Sequence, residues 1–116
     1  MNQRNLVTTV RKPNPSIGII DIQGDVTSAA ENALMDAFSE ASNGSARTIL
    51  LYFSGLDYMN SSGIGLLVTL LIRTQRQKQK LLACGLSEHY EEIFKLTRLN
   101  EAIGIYADET EALAAV

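Results

Sequence analysis

The chain has one cysteine, one histidine and no excess of basic residues, and each shortage removes a class of function. Cys84 is alone, which excludes an intrachain disulfide and a cysteine metal cluster. It lies in the apolar run Leu81-Leu82-Ala83-Cys84, where a lone thiol reads as a small core filler. His89 follows Ser87-Glu88 at an expected helix start and reads as exposed. A Ser-His-Asp triad would need that histidine, and nothing aims it at a serine. Ser62 lacks a Gly-x-Ser-x-Gly setting, so no hydrolase elbow is expected. Ten Lys and Arg stand against 13 Asp and Glu, a net charge of −3. The isoelectric point near 5.0 and the want of a basic stripe interleaved with aromatics argue against a nucleic-acid partner. The longest apolar run, Ile64 to Ile72, is too short to span a bilayer. The start, Met1-Asn2-Gln3-Arg4-Asn5, has no apolar segment of signal-peptide type. No internal repeat or low-complexity stretch is present. These absences lead us to expect a cytoplasmic protein, not inserted in a membrane, that is not an enzyme and carries no metal or other cofactor.

What remains is ordinary material for a globular core. At 116 residues, 46% hydrophobic and 20% charged, the chain is expected to form a single domain over 1–116. Leu6 to Lys12 alternates weakly and reads as an edge strand. Pro13-Asn14-Pro15 reads as a turn. Ile17 to Gly24 reads as the second strand of a hairpin, with Ile17, Ile19 and Asp21 on one face and Ile20 and Ile22 on the other. Ser28-Ala29-Ala30-Glu31 fits a capping box. The helix it opens should run to about Ala41, with Ala30, Leu34, Ala37, Phe38 and Ala41 as its core stripe. Ser42-Asn43-Gly44-Ser45 stops it.

The next stretch concentrates the chemistry. Thr48 to Phe53 is apolar almost throughout and reads as a strand buried on both faces. Ile64 to Ile72 is a helix dense in Leu, Ile and Val, with Ile64, Leu67, Val68, Leu71 and Ile72 expected inward and Leu66 and Leu70 less covered. The helix ends in Arg73, Arg76, Lys78 and Lys80, which suit its negative end. Asn60, Ser61 and Ser62 at the junction are all good N-cap residues, and Gly63 and Gly65 leave the backbone open to close approach. A phosphate on a hydroxyl here would meet free N–H donors and the positive end of the helix dipole. On spacing alone, caps and packing glycines explain the same residues.

Beyond the junction, Leu81 to Gly85 reads as a strand parallel to the buried one through a right-handed crossover. Ser87 caps a helix to Leu96, with Tyr90, Ile93, Phe94 and Leu96 to Leu99 toward the sheet. Ile103 to Tyr106 forms a last strand. Asp108 caps a terminal helix carrying Ala112, Leu113 and Val116.

Asn60-Ser61-Ser62-Gly63-Ile64-Gly65, preceded by Phe53-Ser54-Gly55-Leu56-Asp57-Tyr58-Met59, resembles the signature of the STAS family, the anti-sigma-factor antagonists. The usual form there is Asp-Ser-Ser-Gly-Leu-Gly opening a helix after a strand and a short loop. Gly24-Asp25-Val26 is similar to the family's Gly-Glu-Leu, which lies beside the serine loop. Two positions depart: Asn60 stands for the usual Asp, and Leu51-Tyr52-Phe53 replaces a Leu-Asp-Leu stretch. Many members also have Gly at the position of Arg98. The resemblance implies an α/β STAS fold: a mixed central sheet of about five strands with about four helices, in the order β-β-α-β-α-β-α-β-α. It implies that Ser62 is phosphorylated by a partner serine kinase of the histidine-kinase-like ATPase type, itself an anti-sigma factor, and dephosphorylated by a serine phosphatase. Asn60, Ser61 and Gly63 form the switch loop and cap, and Asp25, Met59, Ile64 and Leu66 the partner contact. An alternative within the family is a non-phosphorylated accessory or scaffold subunit of a transporter or signalling complex.

Overall fold

Four consecutive residues, Thr48-Ile49-Leu50-Leu51, are buried in succession, which a strand allows only when both of its faces are covered. That strand sits in the middle of the sheet in the computed structural model, which describes residues 5–116. The expectation for Met1 to Arg4 lies outside them. The five strands are β1 (Val7–Asn14), β2 (Ile17–Val26), β3 (Thr48–Met59), β4 (Lys80–Cys84) and β5 (Gly104–Tyr106). They lie side by side in sequence order. β1 is the antiparallel edge strand, and β2, β3, β4 and β5 run parallel. The helices are α1 (Glu31–Ala41), α2 (Ser61–Arg76), α3 (Glu88–Leu96) and α4 (Glu109–Ala114). The expected α/β order and mixed sheet are what the chain forms.

The alternation of β2 divides the core. Ile20 and Ile22 join Ile49, Leu51 and Phe53 beneath α1, α2 and α3, while Ile17 and Ile19 join Leu50, Leu82 and Cys84 beneath α4. The α1 stripe of Ala30, Leu34, Ala37, Phe38 and Ala41 is buried as expected. Cys84 is fully buried, and that burial pushes its thiol up to about 11. α4 is held to the sheet by more than packing. Arg11 on β1 donates two hydrogen bonds to Asp21 and two to Glu109 on α4. Both carboxylates raise the guanidinium pKa further, Asp21 more than Glu109.

Several boundaries move, each for a local reason. Pro13 and Asn14 belong to β1, with an irregular register between Arg11 and Asn14, and the turn proper is Pro15-Ser16. Thr27, not Ser28, is the cap before α1: its hydroxyl accepts from the Ala29 N–H at 3.3 Å, and Ser28–Ala30 forms a short 3-10 turn. β3 runs on to Met59 because β2 also runs on, pairing Asp25 with Tyr58 and Val26 with Met59. Leu96 points to solvent, whereas Phe94 and Leu99 are buried. The phase of α2 also differs. Gly63, Leu66, Leu67, Leu70 and Thr74 are its buried positions, and Val68 and Ile72 are exposed.

Arg98 ends α3 in the left-handed region, at φ 62°, with its N–H donating to the Lys95 carbonyl. A side chain there costs energy that glycine avoids. Arg98→Gly is therefore expected to stabilise the protein by about 0.5–1 kcal/mol, read as a higher urea midpoint at unchanged slope.

Candidate functional site

Asn60 is the single residue between β3 and α2, and its position is fixed from three sides. Its side-chain carbonyl accepts from the Gly63 N–H at 3.0 Å, the cap that its residue type predicts. Its backbone carbonyl accepts from the Ile64 N–H at 3.0 Å, the first helical bond, and its own N–H donates to the Val26 carbonyl at 3.3 Å. One residue earlier, the Met59 N–H donates to the Tyr90 hydroxyl at 2.8 Å. The tip of β3 is thus tied to β2, α2 and α3 at once. Asn60→Ala would remove the cap, and a loss of about 1 kcal/mol is expected. Asn60→Asp should leave stability near the wild-type value. Thermal unfolding of both variants checks this, with about 4 °C separating them.

The geometry brings most of the expected residues together but sorts them differently. Ser61 and Ser62 occupy the first two helical positions of α2 and are exposed. Their N–H groups have no acceptor inside the helix. The first turn holds no acidic residue. Gly63 is buried because its Cα lies against β2: a Cβ there would stand 2.1 Å from the Val26 carbonyl oxygen and 2.8 Å from Met59 Cγ. At Gly65 a Cβ would meet nothing within 4 Å. Asp25 is half-buried beside Tyr58 in the ladder, one residue before the Val26 carbonyl that holds Asn60.

Met59 and Leu66, expected at a partner contact, are core residues at 5% and 9% exposure. Met59 turns inward because the strand continues through it, and Leu66 because Gly63 sets the helix phase. Ile64 is half-buried against the core. The apolar surface near the serines comes from residues that the sequence pattern does not single out. Tyr58 is half exposed at the end of β3. Ser61, Gly65, Val68 and Ile72 fall on one face of α2 at helical spacing, and Val68 and Ile72 are exposed on it. The sequence marks Tyr90 only as a core residue, since a lone Tyr on an apolar helix face carries no signal for its hydroxyl contact.

The open mixed sheet carries three helices on one face, and two exposed serines stand at the start of the helix after its central strand, the arrangement of an α/β fold. The STAS domain model matches residues 9–112, and the chain belongs to that family. The fold matches an anti-sigma factor antagonist from Mycobacterium paratuberculosis with a TM-score of 0.82 at 17% identity, over 97% of this chain and 94% of that one. It also matches the Bacillus cell fate determinant SpoIIAA in its phosphorylated form, with a TM-score of 0.72 at 21% identity over 94% and 98% of the two chains. A sulfate transporter family protein from Wolinella succinogenes matches with a TM-score of 0.76 at 16% identity, over 88% and 85%. Among the described residues no helix is long and apolar enough to cross a membrane.

Proposed function

We propose that this protein is an anti-sigma factor antagonist whose binding is switched at Ser62. Its partner is an anti-sigma factor that is also an ATP-dependent serine kinase, a serine phosphatase resets it, and the complex forms in the cytoplasm. The observation that carries this reading is the exposed Ser61-Ser62 pair in the first turn of a helix whose fold does not need either hydroxyl. Family membership and the likeness to SpoIIAA in its phosphorylated form support it.

The mechanism follows from charge at an interface. A phosphate adds about −1.5 to −2 charges at neutral pH. The helix start tolerates it, because its N–H groups and dipole favour an anion. A partner surface of like charge does not, and like charges brought together cost several kcal/mol. Tyr58, Val68 and Ile72 supply the apolar part of the contact, with Ile64 and Asp25 at its margin, and Asn60, Ser61 and Gly63 hold the loop. This is a binding role and needs no reaction at Ser62 other than its own modification.

The scaffold reading keeps two observations in its favour. Asn60 replaces the carboxylate usual before the serines, and the fold also occurs in a transporter-family protein. Phosphopeptide mass spectrometry separates the two after incubation with ATP and a purified kinase-type anti-sigma factor that binds the chain. A single phosphate on Ser62, with loss of binding, is the expected result. Stable binding with no phosphate would overturn the switch and leave the scaffold.

A further inference from the structure

At the opposite end of the sheet, β2, β3 and β4 begin together, and their first residues border a cleft of about 670 Å³. Its volume lies within the range of small-molecule sites, about 300–1,000 Å³. With about 3.3 Å per strand residue, the length of β3 places it roughly 35 Å from the serines. We propose that this cleft binds a small soluble amphiphilic anion, one phosphate or carboxylate on an apolar body, independently of the serine switch.

Charge is the first argument. Arg47, Lys78 and Lys80 line the cleft, and no Asp or Glu side chain does, in a chain whose acids outnumber its bases. The ion pairs among the described residues engage Arg11 and Arg98, and none engages these three. Arg47 has the planar fork that suits a carboxylate or phosphate, and the two lysines act as point charges beside it. The second argument is polar. Thr48 lines the same cleft, and a threonine hydroxyl can donate to a ligand oxygen. The third is conformational. Lys78 sits at φ 57°, where glycine would be less strained, so a cation is kept at the rim against the backbone's preference. Ile17 and Leu113 supply an apolar floor and wall, which a bare inorganic anion would leave unused.

The test is an amide-shift titration of the isotope-labelled full chain at low salt with hexyl phosphate, inorganic phosphate and hexanol. Saturable shifts of the Ile17, Thr48 and Lys80 amides with hexyl phosphate, and no movement at Ser61 and Ser62, are expected. Inorganic phosphate should bind at least about tenfold more weakly, and hexanol should not saturate. Arg47→Gln and Lys78→Gly should each weaken hexyl phosphate by about tenfold, the loss of one charge-assisted contact. Lys78→Gly relieves backbone strain while it removes the charge, so its effect does not come from unfolding. No saturable shift at these amides would overturn the proposal, as would equal affinity for inorganic phosphate or unchanged affinity in both variants.

Discussion

Ser62→Asp should weaken binding of the kinase-type partner by at least about 100-fold, equivalent to about 2.8 kcal/mol, while leaving the protein slightly more stable. The two effects have opposite signs for a stated reason. The new carboxylate stands in the first turn of α2, which holds no acidic residue, and a negative charge there is worth about 0.3–1 kcal/mol to the helix. The same charge faces outward, because Ser62 is exposed. A partner that approaches the helix start must desolvate it or set its own acids against it. Ser62→Ala should bind as the unmodified protein does and resist ATP-dependent release. Calorimetric titration gives the affinity, and thermal unfolding the stability. Normal binding by a Ser62→Asp protein that is also stabilised would remove the electrostatic mechanism, since the charge would then be present and harmless. Weak binding by a destabilised protein would instead mean that the helix start had been disturbed, and Ser62→Asn, of similar shape without the charge, separates that outcome.

Much of this arrangement is legible in the amino-acid sequence alone, and the parts that are not share a cause. The caps at Asn60, Ser87 and Asp108 can be read because each side chain bonds to an N–H three residues on, so all the information lies within four residues. The buried strand at Thr48 to Phe53 can be read because its apolar run has no other use. The extension of β3 to Met59 cannot. Ser54, Gly55 and Asp57 are loop residues by composition, and what holds them extended is the pairing with β2, formed by residues some thirty positions away. The phase of α2 fails differently. From Ile64 to Ile72 nearly every position is apolar, so two helical faces fit the same run. Placing Ile64, Val68 and Ile72 inward satisfies the periodicity as well as the true set, Leu66, Leu67 and Leu70. The choice is made by Gly63, through a contact with Val26 that is not local. The wrong phase carries Leu66 onto the expected interface and keeps Val68 and Ile72 off it.

The same contact makes the second large effect. Gly63→Ala should destabilise the protein by about 3 kcal/mol, the upper part of the usual range for overpacking. A Cβ at 2.1 Å from the Val26 carbonyl oxygen meets backbone, which cannot rotate away as a side chain can. That carbonyl also accepts the Asn60 N–H. Moving it would loosen the residue that caps α2, and moving α2 would lift Leu66, Leu67 and Leu70 from the core. Gly65→Ala is the internal control, two positions along. Nothing lies within 4 Å of its Cβ, and alanine is worth about 0.5–1 kcal/mol over glycine inside a helix. Gly65→Ala should therefore stabilise. Chemical denaturation of the pair reads both signs. If Gly63→Ala proved neutral, the close approach of α2 to β2 would be wrong, and with it the phase that exposes Val68 and Ile72. Gly65 has no such packing reason to be glycine. It lies on the exposed face that carries Ser61, Val68 and Ile72, so a methyl group there should raise stability and still weaken partner binding. Full binding by a stabilised Gly65→Ala protein would take that face of α2 out of the interface and confine the contact to the serines and Tyr58.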